Sequence, residues 1–258
     1  MVKPDVSLDS TQRFSERVEN YVRFRPGYPG AVLDWLRAHA GLRSEDVIAD
    51  IGSGTGILTG LFLRHGNTVF AVEPNAAMRA AADRLLAQFP RYHSVNGTAE
   101  QTTLATSSAD AAAAGQAFHW FDLGTARQEA QRILRPGGWA AILWNTRSLD
   151  ATAFLREYET LLRRYATDYD TIDHRNVTRD TLRPFFGGPF EYVTFPNAQH
   201  LDYEGLKGRL LSASYMPGPG QPGHEAMLRD LRTLYEAHAQ EGRVHLLYDT
   251  ELYCGALR

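Results

Sequence analysis

The chain has 258 residues, a formal net charge of -3 and a single cysteine. That length suits one large domain, or one domain with a cap. Hydrophobic residues at 43% supply a sizeable core, and charged residues at 22% argue against long disorder. One cysteine excludes an internal disulfide and a cysteine-built zinc cluster, and Cys254 reads as a small buried apolar side chain. Acids slightly outnumber bases, 30 against 27, and no stretch gathers basic residues on one face. That argues against a nucleic-acid partner. The opening residues are polar and charged, unlike a secretory signal, and no run approaches the ~18 apolar residues of a membrane span. The expectation is a cytoplasmic protein with no membrane partner, its oligomeric state left open.

The periodicity predicts an amphipathic helix over 11–25, with Phe14, Val18, Tyr21 and Val22 on one side. The segment Pro26-Gly27-Tyr28-Pro29-Gly30 breaks it, and a second helix ends at Gly41. The rhythm then changes. Val47 to Ile51 is a short apolar run ending in glycines, which suits a strand buried on both faces. Alternation follows, with helices at 57–65, 76–89 and 123–134 and strands at 68–72, 91–95, 109–118 and 138–144. Strands alternating with helices of this length predict a parallel sheet covered on both faces. Right-handed crossovers place the loops after the strands along one edge, where ligands bind. Beyond Asn145 the alternation stops. Helices or turns are expected at 152–167 and 178–186 and helices at 201–214 and 225–240, with strands at 190–195 and 244–257 and a loop at 216–223. The expected fold is α/β and Rossmann-like, with a seven-stranded, mostly parallel sheet, N-terminal helices and a cap in the C-terminal half. Residues 1–45 would form a helical cover and 46–146 a cofactor-binding core. Residues 147–258 would form cap segments plus the last two strands, all within one integrated domain.

The first strand runs into Asp50-Ile51-Gly52-Ser53-Gly54-Thr55-Gly56. Alternate glycines let the backbone turn tightly and approach a ligand, and the helix behind them offers unpaired N–H groups. A dinucleotide fingerprint has its third glycine at the sixth position, which here is Ile57, so the spacing disfavours NAD or FAD. No Gly-Lys-Ser/Thr follows, so a P-loop is excluded. Glu73 closes the second strand about twenty residues beyond the glycines, a place suited to accepting both hydroxyls of a ribose. Pro74 stops that strand and Asn75 suits a helix start.

Five segments occur in order: the glycine loop; Val72-Glu73-Pro74; Gly97-Thr98-Ala99-Glu100; Ala117-Phe118-His119-Trp120-Phe121-Asp122; and Leu134-Arg135-Pro136-Gly137-Gly138. Together they resemble a class I methyltransferase dependent on S-adenosylmethionine, and more narrowly the small-molecule group that includes trans-aconitate methyltransferase-like proteins. Phe14-Ser15, Tyr21 and Arg25-Pro26-x-Tyr28-Pro29 resemble the same group. The resemblance covers residues 11–146 and reaches the rest only in outline.

It implies roles for particular residues. The loop of Gly52, Ser53, Gly54, Thr55 and Gly56 would pack on the methionine part of S-adenosylmethionine, and Asp50 would orient the loop and help with the ammonium. Glu73 would bind the ribose, with Pro74 beside it. Asn75 and Met78 would line the adenosine pocket. Thr98, Ala99 and Glu100 would meet adenine. The carbonyl of Gln116 or Ala117 would accept from the ammonium. Tyr21 and Arg25 share a helix face and would close over the carboxylate end or the substrate. The acceptor pocket is expected to involve Phe14, Tyr28, His119, Trp120, Arg147 and Tyr215, with Arg147 either holding an acidic acceptor or making a surface salt bridge.

Methyl transfer from a sulfonium is an in-line displacement, so alignment and exclusion of water are the main demands. A base is needed only where the acceptor must lose a proton, and His119 is the candidate, its other reading being a pocket wall. Tyr215 and Met216 read as a lid, and His200 and His224 as surface residues. The histidines show no metal spacing. The expected activity is methyl transfer to an oxygen, nitrogen or carbon of a small molecule. The rival readings are a catalytically silent module of the same fold and an NAD-dependent oxidoreductase.

Overall fold

The computed structural model describes residues 18–167 and 179–257. Five strands run parallel: Val47–Ile51 (β1), Thr68–Val72 (β2), Tyr92–Val95 (β3), Ala109–Gly115 (β4) and Leu134–Arg147 (β5). Glu191–Leu201 (β6) and Val244–Ala256 (β7) complete a seven-stranded sheet of order β3-β2-β1-β4-β5-β7-β6. Only β7 runs against its neighbours, being antiparallel to both β5 and β6. The order reverses between β1 and β4, and a crevice opens there beyond the carboxyl ends of the strands.

The central strands are apolar because helices cover both faces. In β4, Ala109, Ala111, Ala112, Ala113 and Ala114 are all buried, and their small side chains let helices approach closely. The helices over the first half are Val18–Phe24 (α1), Ala31–Trp35 (α2), Ile57–His65 (α3), Ala76–Leu86 (α4) and Leu123–Ile133 (α5). A π-helical turn, Leu36–Ala40, extends α2 and stops at Gly41 in the left-handed conformation. Asn75 caps α4 by accepting from the N–H groups of Ala77 and Met78, and Asp122 caps α5 through that of Thr125. In the C-terminal half come Ala153–Tyr165 (α6), Arg179–Phe186 (α7), Tyr203–Leu211 (α8) and His224–His238 (α9). The apolar faces of α6, α8 and α9 meet β7 in a cluster that includes Leu155, Leu206, Met227, Leu231 and Leu246, while Leu182, Phe185 and Phe186 of α7 pack with Phe118, Ile142 and Trp144.

Three elements differ from expectation. Strand β5 begins at Leu134 and reaches Arg147, since β7 pairs with it up to that residue. Strand β6 continues through Pro196 to Leu201, which the sheet tolerates because β6 is an edge strand. Strand β4 ends at Gly115, where Gln116 turns left-handed and Phe118–Trp120 form a 3₁₀ turn. The start of the expected first helix, including Phe14, lies outside the described residues. No described helix is long and apolar enough to cross a membrane.

Candidate functional site

The crevice holds two lobes that share Tyr21, Gly52, Gly54, Gly115, Gln116 and Trp120. One, of about 320 Å³, is lined by Glu73, Pro74, Asn75, Met78, Thr98, Ala99, Glu100, Ala117 and Phe121 as well. The other, of about 170 Å³, extends under the cap along Arg25, Tyr28, Asp50, Ser53, Thr55, His119, Asn145, Arg147, Arg209 and Tyr215.

The loop after β1 is shaped by its glycines. Gly52 has φ +69°, and a Cβ there would sit 2.6 Å from that of Ala117. Gly54 has φ +57°, and a Cβ there would point into open space. Gly56 does not reach either lobe; it starts α3 in the left-handed conformation, and a Cβ on it would strike Leu86 at 2.6 Å. Its glycine is required for packing rather than for ligand contact.

Glu73 pins this loop. One carboxylate oxygen accepts from Gly54 N–H at 2.9 Å and the other from Asn75 N–H at 2.8 Å. Burial raises its pKa, against those two hydrogen bonds. Asp50 is wholly buried, and burial pushes its carboxyl up to about 7. The hydroxyl of Thr59 donates to its Oδ2 at 2.5 Å, while Oδ1 has no hydrogen-bond partner among the described residues. The hydroxyls of Ser53 and Thr55 are buried and likewise without partners there. Buried polar atoms gathered beside a glycine cradle fit a polar, positively charged ligand at this end.

At the end of β4, Gln116 holds φ +60°, an uncommon conformation for a side-chain-bearing residue. The carbonyl of Ala117 already accepts from Trp120 N–H at 2.9 Å. Of the two carbonyls considered for an ammonium, Gln116 is therefore the one the turn leaves in play. Glu100 accepts from Asp122 N–H at 2.9 Å, so one carboxylate oxygen ties the adenine-side loop to the start of α5.

The cover is fastened at its turn. Asn145 and Asn197 both donate to the carbonyl of Gly27, at 3.1 and 2.8 Å, and the Thr250 hydroxyl donates to Asn145 at 2.5 Å. Arg25 stacks 4.8 Å from the Tyr21 ring centroid and donates to the carbonyl of Ser212 at 3.0 Å. This seats Tyr21, Arg25 and the partly buried Tyr28 on the cavity wall.

Arg147 lines the cap lobe, but it faces an acid of its own: its Nη2 donates to Glu159 Oε2 at 2.5 Å, with both side chains nearly buried. Arg163 Nε engages the other oxygen of the same carboxylate at 2.8 Å, so two guanidiniums share one acid while Arg147 stays on the lobe's wall. Met216 is buried in the cap cluster rather than acting as a lid. His224 is buried at the start of α9, its Nδ1 2.9 Å from the carbonyl of Pro217, and is not a surface residue. Tyr215, His119 and Trp120 do line the lobes, with Trp120 exposed at their junction. Asn145 and Arg209 are among the cavity residues that escaped the reading of the sequence. For Arg209 a signal existed, because it falls on the helical stripe of Leu206 and Leu210.

Residues 49–142 match the family described as methyltransferase domain. This part of the chain is similar to a class I methyltransferase domain, a likeness that implies S-adenosylmethionine as the cofactor. The chain is 38% identical to an uncharacterized methyltransferase of Mycobacterium tuberculosis over 60% of its own length and 61% of that protein. It is 29% identical to an uncharacterized methyltransferase-like protein of Schizosaccharomyces pombe, over 79% and 78% of the two chains. It thus spans about three fifths of the length of the mycobacterial relatives it matches. A solved structure from Anaeromyxobacter dehalogenans, provisionally described as a type II methyltransferase, superposes with a TM-score of 0.67 at 23% identity. That superposition covers 91% of this chain and 98% of the other, and it shows the shared fold. The narrower likeness to trans-aconitate methyltransferase is not specifically supported by these comparisons.

Proposed function

We propose that this protein transfers a methyl group from S-adenosylmethionine to a small-molecule acceptor. The observation that carries the reading is the two-lobed cavity at the sheet's switch point, with one lobe walled by Glu73, Asn75 and Ala99 and the other closed by the cap. When bound, the cofactor supplies an electrophilic methyl group on a sulfonium. The chain's own residues bind, orient and exclude water. Glu73, already held by two backbone N–H groups, offers its remaining lone pairs to ribose hydroxyls. Ala99, Glu100, Thr98 and Met78 wall the adenine, and Pro74 and Asn75 the ribose side. Asp50 and the Gln116 carbonyl face the ammonium, while Tyr21 and Arg25 close the carboxylate end.

The acceptor occupies the cap lobe against Tyr28, Trp120 and Tyr215. His119 shapes the wall there with Trp120, whose ring lies 4.8 Å away. Alignment at near-attack distance in a site shielded from water is the main source of rate.

Calorimetry with S-adenosylhomocysteine tests the cofactor assignment. Saturable binding is expected, and none at about 1 mM ligand would defeat the reading. A screen of acids, phenols and amines for release of S-adenosylhomocysteine then identifies the acceptor. On that acceptor, His119→Ala is expected to retain turnover within about tenfold, and a loss of 10²–10⁴-fold would instead make His119 a general base.

A further inference from the structure

The cap end of the cavity contains a guanidinium that no carboxylate balances among the described residues. Arg209 stands on α8 between the buried Leu206 and Leu210 and lines the cap lobe. Its one hydrogen bond to a described residue runs from Nε to the Tyr248 hydroxyl at 3.3 Å. That hydroxyl spends its own proton on Gln199 Oε1, 2.8 Å away, so its lone pair is what faces Arg209. Gln199 in turn donates to the carbonyl of Phe24 at 2.9 Å, which fixes the arrangement to the N-terminal cover.

The surroundings add positive charge rather than remove it. Arg25 lies near enough to interact unfavourably with Arg209. Arg147 is paired with Glu159, a carboxylate that Arg163 also engages at 2.8 Å. Among the described residues, the only carboxylate on the lining of this lobe is Asp50, at the glycine-loop end. Arg209 is half-buried, and holding an uncompensated guanidinium partly out of water is unfavourable unless a ligand supplies the opposite charge. Its planar fork of donors matches a carboxylate or phosphate.

We propose that Arg209 is the anchor of the acceptor subsite and that it pairs with an anionic group, carboxylate or phosphate, on the methyl acceptor. The proposal rests on the methyl-transfer reading and assigns the acceptor's chemical class. The cofactor's own carboxylate is the competing occupant. Arg25 is better placed for it, since it stacks on Tyr21, which borders both lobes. Arg209 comes instead from the cap, outside the matched residues 49–142.

The test uses the full chain saturated with S-adenosylhomocysteine and matched pairs of probes: benzoate with benzamide, succinate with succinamide, phenyl phosphate with phenol. At least one anion is expected to bind about tenfold or more tightly than its neutral partner, and to weaken with added salt. The carboxylate and phosphate pairs show which anion the fork takes. Arg209→Met should abolish the preference while leaving S-adenosylhomocysteine affinity within about threefold, and Arg209→Lys should keep part of it. Neutral probes binding as well as anions in the unaltered protein would overturn the proposal. So would a preference that survives Arg209→Met, or a loss of S-adenosylhomocysteine binding as large as the loss of anion binding. Failure of the unaltered protein to bind S-adenosylhomocysteine at all would defeat the methyl-transfer reading instead. If Arg209→Met does not fold, the probe pairs on the unaltered protein and on Arg209→Lys decide.

Discussion

Asp50 concentrates the electrostatic cost of the site in one carboxyl. Burial raises it from 3.8 to about 7, with Thr59 opposing and the like charge of Glu73 adding to the rise. The folded-state value lies above the unfolded one, so the folded chain holds the proton more tightly. This group's contribution is most favourable below the unfolded value, and it is lost as pH rises toward and through about 7. Asp50→Asn removes that loss while keeping an acceptor for Thr59. Without cofactor, it should therefore stabilise the protein at pH 8 by about 2–4 kcal/mol and flatten the difference between pH 8 and pH 5. Urea unfolding at the two values measures both, and an unchanged pH slope would refute the cause given. Under the proposed function that carboxylate faces the cofactor's ammonium, so the same variant should bind S-adenosylmethionine at least about tenfold more weakly. Glycine spacing made this end of the site readable, because Gly52 and Gly54 hold the positive φ that favours glycine, and a Cβ on Gly52 would strike that of Ala117. Gln116 was not readable in the same way, as its left-handed backbone replaces the glycine that pattern reading looks for.

Between elements, two contacts decide whether the cover and cap stay in place. The end of β5 is tied to α6 by the Arg147–Glu159 pair, with the Arg147 guanidinium also 5.2 Å from the Tyr158 ring centroid. Glu159→Ala strands a nearly buried cation and should cost about 3–5 kcal/mol. Adding Arg147→Met should recover much of that loss, and a double-mutant cycle by urea unfolding measures the coupling, with simple additivity refuting it. The second contact joins α1 to α8. A Cβ on Gly208 would overlap the Phe24 ring, so Gly208→Ala should push α1 away. The expected result is about 1–3 kcal/mol of destabilisation and weaker S-adenosylhomocysteine binding, through displacement of Tyr21 and Arg25. Unchanged affinity would show that α1 does not close the site. Neither contact could be foreseen, because each joins residues that only the tertiary fold brings together. The helices themselves could be foreseen, since apolar stripes, Asn75, Asp122, Thr152 and Asp202 as caps, and Gly41 and Gly66 as stops are local signals. Strand ends were less legible: β5 and β6 run as far as a partner pairs with them, and that partner, β7, lies about a hundred residues beyond β5 and about fifty beyond β6.

At the scale of the whole molecule, the last two strands bind the cap to the cofactor core. Strand β7 pairs with β5 from Trp139 to Arg147 on one side and with the full length of β6 on the other. The same strand contributes Leu252 and Cys254 to the central core, and Val244, Leu246 and Tyr248 to the cap cluster. A strand shared between two clusters couples their unfolding, because neither can lose its packing without exposing the other's edge. The protein should therefore melt in a single calorimetric transition, with the calorimetric and van't Hoff enthalpies equal. Saturating S-adenosylhomocysteine contacts mainly the core, yet it should shift that transition as a unit. At a hundredfold excess over Kd the gain is about 2.7 kcal/mol. Two resolved transitions, with only one moved by ligand, would show that the cap folds separately. The acceptor subsite would then be assembled by docking, whereas a single shifted transition places Arg209 and the glycine loop in one cooperative unit, preformed before either ligand arrives.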